Sequence, residues 1–94
     1  GPAGDRLTLL NGRPHRIAMP NACFAAVMGH GAISELSAPA PAVAEMYRVL
    51  KPGGRLGLCE PPDALPACAA LLTSAGFDIL VRRDAFLIAA KDGP

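Results

Sequence analysis

Residues 45–58 read EMYRVLKPGGRLGL, a segment that joins the end of a helix to a turn and a strand. We predict a helix over residues 42–50, because apolar side chains recur there at helical spacing. Its apolar face consists of Val43, Met46, Tyr47 and Leu50. Pro52 cannot continue a helix, and Gly53-Gly54 permit a sharp reversal of the chain. The apolar residues that follow predict a buried strand over 55–59, so this segment indicates a helix packed against a sheet.

The flanking sequence predicts further strands and a second helix. Upstream, the short apolar runs indicate strands over 6–10 and 24–28, and Ser37 is available to cap the first helix. Downstream, Asp63 is predicted to cap a helix over 64–75, on which apolar residues again share one face. The runs 77–81 and 85–90 are close enough for an antiparallel hairpin. This order predicts an α/β fold with parallel central strands and a C-terminal antiparallel hairpin.

The length and composition indicate one small globular domain. The chain has 94 residues, 51% of them hydrophobic, and a formal net charge of +1. A charge so close to zero gives no basis for binding nucleic acid or an anionic membrane surface. Gly1-Pro2 resembles what remains after an expression tag is cleaved. We interpret 1–5 as such a remnant or a disordered start, 6–91 as a single domain and 92–94 as a tail. No signal-peptide pattern is present, and we expect a cytoplasmic protein.

The three cysteines do not form a metal-binding pattern. Cys23, Cys59 and Cys68 include no Cys-x-x-Cys pair and lack an accompanying histidine cluster. Structural zinc sites need about four closely spaced ligands. We therefore expect three small buried thiols and no metal site.

The helix-KPGG-strand unit resembles the segment that enters the fifth strand of class I S-adenosylmethionine-dependent methyltransferases. The resemblance extends upstream, where Phe24 lies at the phenylalanine that opens the family's fourth strand. It extends downstream as well, because Ala75-Gly76-Phe77 is similar to the family's entry to its sixth strand. Nearly the whole chain is covered, and the resemblance implies the C-terminal portion of a Rossmann-like methyltransferase sheet.

Three departures from the family pattern concern the cofactor. The chain has no counterpart of the glycine-rich loop after the family's first strand, which holds the methionine part of the cofactor. Arg13 stands where the family has an acidic residue that contacts adenine, and Ala25 stands where an aspartate follows the phenylalanine. An arginine donates hydrogen bonds where a carboxylate accepts them. We therefore expect no cofactor binding by this chain alone.

Two interpretations follow from these departures. The chain is either a degenerate methyltransferase-like domain that acts as an interaction or scaffolding module, or a truncated part of an active enzyme. In the second case S-adenosylmethionine would bind with the help of a cofactor half supplied by another chain or by missing sequence. The substitutions at Arg13 and Ala25 lie inside the retained region, so they favour the first interpretation.

His30 and Glu60 are the two candidates for catalysis. Each follows a predicted parallel strand, and α/β folds place ligands at the carboxyl ends of such strands. A histidine there could serve as a general base. The simpler interpretation is an exposed loop histidine and a solvated loop carboxylate. We therefore assign no catalytic role to either residue.

In the family that this chain resembles, strands one and two lie between strands three and four of the sheet, and the chain has no counterpart of those two strands. The strand over 24–28 would lose its usual neighbour, and an apolar open edge invites association. Either the strand over 6–10 pairs with it directly, or another chain covers it. We favour a homodimer or a partner domain, contacting this edge or the apolar face beside it.

Overall fold

The sheet has five strands in the order β1-β2-β3-β5-β4. The computed structural model describes residues 6–10 and 19–93, and Arg13 lies outside them. The elements are β1 (Arg6–Leu10), β2 (Phe24–His30), α1 (Pro39–Val49), β3 (Leu50–Cys59), a short 3-10 turn (Pro62–Ala64), α2 (Leu65–Ser74), β4 (Asp78–Arg83) and β5 (Phe86–Ala90).

The strand directions confirm the predicted fold class. β1, β2 and β3 are parallel to one another. β5 runs antiparallel to both β3 and β4, which places the C-terminal hairpin at one side of the sheet. Arg83 pairs with Phe86, so the connection is the two-residue turn Asp84-Ala85, not the segment 82–84 expected from the sequence.

The edge of β2 is covered by β1. The two strands pair in parallel along their length, with Leu7 opposite Val27 and Thr8 opposite Met28. This is the first of the two arrangements considered from the sequence. β1 pairs with β2 over Ala26–His30, so a partner strand could not pair there without displacing β1. β1 takes up this edge over Ala26–Met28, and a homodimer or a partner domain at this edge or the apolar face beside it stays a prediction.

Both helices pack against one face of the sheet and enclose the core. On the strands, alternate side chains point into this core and are buried: Val27, Leu56, Leu58, Leu87 and Ala89. The helices contribute the apolar faces predicted from their spacing, including Val43 and Met46 from α1 and Leu65, Cys68 and Leu72 from α2. Tyr47 meets Phe77 edge to face, with ring centroids 5.0 Å apart. This packing is typical of an α/β layer.

Both helices begin at residues other than those predicted. α1 begins at Pro39, because prolines fit the first helical turn, and its N-cap is Ala38 without a side-chain hydrogen bond from Ser37. α2 begins at Leu65, and a 3-10 turn containing Asp63 precedes it. Neither predicted side-chain cap forms.

The KPGG segment belongs to strand β3 and is fastened to the end of β5. Leu50 is already extended and pairs with Phe24, so the strand begins directly after the helix. The Gly53 backbone amide donates to the Lys91 carbonyl at 2.9 Å, and the Lys91 amide donates to the Gly54 carbonyl at 3.0 Å. The Lys91 ammonium in turn donates to the carbonyls of Tyr47 and Leu50, at 2.9 and 2.8 Å. It thereby satisfies carbonyls at the C-terminal end of α1.

The opposite face of the sheet is not covered by a described element. The large apolar side chains exposed on it or beside it include Met28, Val81, Phe86 and Ile88, and Leu80 of β4 is exposed as well. Strands with apolar residues on both faces are usually buried on both sides.

Within residues 6–10 and 19–93, neither helix has the length and apolar character needed to cross a bilayer.

Candidate functional site

A crevice opens where the parallel strands β2 and β3 end. Its volume is about 400 Å³, and the residues that line it come from the ends of both strands, the loop after β2 and the hairpin turn: His30, Gly31, Ser34, Glu35, Cys59, Glu60, Pro61, Pro62 and Ala85. Ligands of α/β folds bind at this end of the sheet. The crevice is therefore the first place to examine for function.

Glu60 is the buried polar residue at the base of this crevice. Its side chain is only 2% exposed. One carboxylate oxygen accepts from the Ala32 backbone amide at 3.1 Å, and the other accepts from the Ser34 amide at 2.9 Å. The Glu60 amide also donates to the carbonyl of Ala85 in the hairpin turn, at 2.9 Å. The expected solvated loop carboxylate is thus wrong, because Glu60 holds the loop after β2 against the end of β3.

His30 lies at the rim of the same crevice. It is the last residue of β2, its side chain is exposed, and it lines the opening as the sequence predicts. The recorded hydrogen bonds of the Glu60 carboxylate run to backbone amides and not to the imidazole. The structure therefore brings both candidates to one crevice, but it gives them different surroundings and does not join them as an acid–base pair.

Cys68 lies on α2, close enough to Glu60 for the carboxylate to affect it. Burial and, to a smaller extent, the negative charge of Glu60 raise the pKa of this thiol to about 11. The thiolate is the nucleophilic form of cysteine, so a raised pKa suppresses reactivity. Cys68 is therefore an inert thiol at neutral pH.

We predict that Cys68 resists alkylation in the folded protein. With iodoacetamide at pH 8, Cys23 and Cys59 should react first because they are partly exposed, whereas Cys68 is buried. Peptide mass mapping over time measures the three rates, and unfolding in urea should make them similar. Labelling of native Cys68 as fast as Cys59 would contradict the assigned burial.

The expectation of three buried thiols holds for Cys68 and is wrong for Cys23 and Cys59. Cys23 lies just before β2, and Cys59 ends β3 at the crevice, so neither is fully enclosed. In the described part of the chain, no three side chains of the histidine, cysteine, aspartate and glutamate types come together in a metal-binding group.

Ala25 occupies an irregular point of β2. The register between β2 and β3 shifts between Phe24 and Ala26, and Ala25 is exposed there. It carries a methyl group and can offer no hydrogen bond from its side chain. Arg13, the other position at which the sequence departs from the resemblance, is outside the described residues.

The comparisons with known proteins identify the family. A sequence model described as a methyltransferase domain matches residues 2–58, which is more than half of the 94-residue chain. The chain belongs to the methyltransferase domain family. No curated protein matches it. The predicted relation to class I S-adenosylmethionine-dependent methyltransferases is confirmed at the level of the domain.

Solved structures share the fold of this methyltransferase-like domain. The [4+2]-cyclase SpnF superposes with a TM-score of 0.78 at 19% identity, over 88% of this chain and 55% of that one. An S-adenosylmethionine-dependent methyltransferase from Thermotoga maritima gives a TM-score of 0.67 at 16% identity, over 86% and 62% of the two chains. One from Aquifex aeolicus gives 0.68 at 20% identity, over 84% and 52%. The methyltransferase-like domain thus spans between half and two thirds of these relatives.

Sequence reasoning missed the structural role of Glu60. A signal was available, because Glu60 directly follows β3 while the turn at 31–34 directly follows β2. Neighbouring parallel strands end at the same edge of a sheet, so a carboxylate after one strand can meet backbone amides after the other. The methyltransferase-like domain uses that proximity to fix a loop.

Proposed function

We propose that this chain is a methyltransferase-like domain that does not bind S-adenosylmethionine by itself and serves as a non-catalytic interaction module. The observation that carries the proposal is the pair of residues at the family's acidic positions. Arg13 and Ala25 replace carboxylates there. An acidic side chain accepts hydrogen bonds from a ligand, whereas arginine only donates them and alanine makes none.

The surroundings of Glu60 support this proposal. Both carboxylate oxygens already accept backbone hydrogen bonds from the loop after β2. A general base needs a free acceptor within hydrogen-bond reach of the proton that it removes. Each carboxylate oxygen keeps a second lone pair, but Glu60 is buried, so these acceptor sites are shielded from a ligand and the carboxylate is better suited to holding the fold.

The fold itself does not require methyl transfer. Unrelated functions often occupy one fold, and function resides in the site. Among the structural neighbours, SpnF is named as a [4+2]-cyclase. A methyltransferase-like domain without the family's usual reaction is therefore consistent with what this fold supports elsewhere.

A second function is favoured by the extent of the chain and by its crevice. The chain spans 55% of SpnF and 62% of the Thermotoga maritima methyltransferase. A crevice of about 400 Å³ is retained at the strand ends. In this alternative the domain is part of an active S-adenosylmethionine-dependent methyltransferase whose cofactor half comes from elsewhere, and His30 and Glu60 line the acceptor pocket.

Isothermal titration calorimetry with S-adenosylmethionine and S-adenosylhomocysteine tests the first proposal. At about 100 μM protein we expect no saturable heat for either ligand, which corresponds to a Kd weaker than about 1 mM. A Kd below about 100 μM for either ligand would overturn the proposal. Coding sequence for a glycine-rich loop just upstream of Arg6 would favour the alternative.

A further inference from the structure

The sheet face opposite the helices, called here the outer face, carries a regular pattern of side chains. The strand register aligns Met28, Gly57, Ile88 and Val81 in one row across β2, β3, β5 and β4. The next row toward the crevice contains His30, Cys59, Phe86 and Arg83. Met28, Val81, Phe86 and Ile88 are 45%, 37%, 54% and 39% exposed. Such a cluster of exposed apolar residues marks an interaction surface.

The outer face contains both a projecting apolar side chain and an apolar cavity. Phe86 projects from β5 and is the most exposed residue of the group. One strand away lies an apolar cavity of about 180 Å³, lined by Thr8, Met28, Gly29, His30, Gly57, Leu58 and Cys59. Apolar cavities of ~150 Å³ are large enough to bind benzene. The cavity can therefore accept a phenyl ring.

Gly57 shapes this cavity through close approach of a side chain. A Cβ at this position would lie 2.8 Å from Met28 Cε and 3.0 Å from Met28 Sδ. The Met28 side chain thus lies across β3 in the space that a larger residue would fill. Methionine is flexible, so this wall of the cavity can adjust to an incoming ring.

We propose that a second copy of this chain covers the outer face as a two-fold symmetric dimer, with Phe86 of each copy entering the cavity of the other. Cys59 and Phe86 are direct cross-strand partners. A two-fold axis parallel to the strands and midway between β3 and β5 therefore places each Phe86 over the other copy's Cys59. Sheets that pack face to face lie about 10 Å apart, within reach of such side chains.

Charge complementarity favours a second copy over an unrelated partner. The row at the other end of the outer face contains Ala26, Arg55, Ala90 and Asp78. The same axis places Arg55 of each copy opposite the other copy's Asp78 across the gap between the sheets, with a sideways offset of about one strand spacing, ~5 Å. Two identical ion pairs then form, as an isologous interface requires. A generic amphipathic helix would cover the apolar row without satisfying both charges.

The isolated chain leaves these two charges available. Across residues 6–10 and 19–93 the recorded ion pair is Arg48 with Glu45, so Arg55 and Asp78 are not paired with opposite charges there. Arg55 donates to the Gly53 carbonyl at 2.7 Å. The pKa of Asp78 is raised because its carboxyl group shares a hydrogen bond with Asp92 and lies near that charge. A cation brought to this carboxyl pair would stabilise its ionised form.

The area of the outer face sets the expected affinity of the dimer. Five strands at ~4.8 Å spacing and about five residues at ~3.3 Å give roughly 400 Å² of flat area per copy. Stable complexes bury about 800 Å² per partner. The dimer should therefore be reversible, with a Kd of about 1–100 μM. This inference deepens the proposed interaction role and rests on it.

Sedimentation velocity between about 1 and 200 μM measures the association of the intact chain. We expect a monomer–dimer equilibrium, and Phe86→Ser should raise the Kd about 30-fold or more because it removes the residue at the centre of the interface. Met19→Ser is the matched control, since Met19 is an exposed apolar residue in the loop before β2. A wild-type monomer at 200 μM, or equal effects of the two variants, would overturn the dimer.

A charge exchange distinguishes a second copy from any other occupant and does not alter the apolar residues. Arg55→Asp and Asp78→Arg should each weaken self-association about tenfold by placing like charges together. Mixing the two variants should restore association as a heterodimer. Failure of the mixture to associate more tightly than either variant would reject this interface. The calorimetry above is independent, because a dimer that bound S-adenosylmethionine would keep the interface and reject the non-catalytic role.

Discussion

Replacing Glu60 with alanine should lower the free energy of unfolding by about 3 kcal/mol. The substitution removes the acceptor for two backbone amides, and the Ala32 amide is left buried without its partner. A hydrogen bond to a charged group contributes about 1.5–3 kcal/mol, and an unsatisfied buried donor adds a penalty. Urea unfolding followed by circular dichroism measures the change.

Two further variants separate the hydrogen bonds from other effects of Glu60. Glu60→Gln keeps one acceptor oxygen but turns an amide group toward a second donor, so about half of the loss should remain. Glu35→Ala is the matched control, because Glu35 is an exposed glutamate at the same crevice and should change stability by less than about 0.5 kcal/mol. Equal effects of Glu60→Ala and Glu35→Ala would show that the carboxylate does not hold the loop.

Gly54→Ala should destabilise the domain by about 3 kcal/mol, and Gly53→Ala by only about 1 kcal/mol. A Cβ at Gly54 would lie 2.8 Å from the Lys51 carbonyl oxygen, 2.9 Å from Leu50 Cδ2 and 3.1 Å from the Ala25 carbonyl oxygen. Two of these atoms belong to the backbone, which cannot move aside as a side chain can.

Gly53 provides the matched control within the same segment. Its φ is +80°, and a Cβ there would meet nothing within 4 Å. The cost of alanine is therefore backbone strain alone. Thermal unfolding should give a decrease in Tm for Gly54→Ala about three times that for Gly53→Ala. A larger decrease in Tm for Gly53→Ala than for Gly54→Ala would contradict the close approach of β2 to the KPGG segment.

The predictable parts of this fold are those in which local pattern and packing agree. Helical spacing predicted the buried face of α2, and the short connection near 82–84 predicted the hairpin. The predicted N-caps were wrong. Ser37 and Asp63 are residue types that cap helices, but the prolines decide where each helix begins, so neither residue caps its helix. Propensity gives the residue type at a helix end, but the tertiary contacts decide which residue occupies it.

The site was harder to predict than the fold. His30 and Glu60 were placed at the correct edge, since that follows from strand order. The hydrogen bonds of Glu60 could not be read in advance, because they depend on how the loop at 31–34 folds back over β3. Part of the apolar outer face could be predicted from the sequence, because β5 reads FLIAA and has no polar residue at alternate positions to face solvent.

The position of β5 in the sheet constrains the order of folding. Residues 86–90 are late in the sequence, yet β5 is an interior strand between β3 and β4. Translation proceeds from the N-terminus at about 5–20 residues per second. Strand β3 must therefore wait several seconds on the ribosome for its second neighbour, while the β4–β5 hairpin can form within microseconds of its emergence. A nascent chain stalled before residue 86 would expose one side of β3, and such a chain should be a preferred client of chaperones.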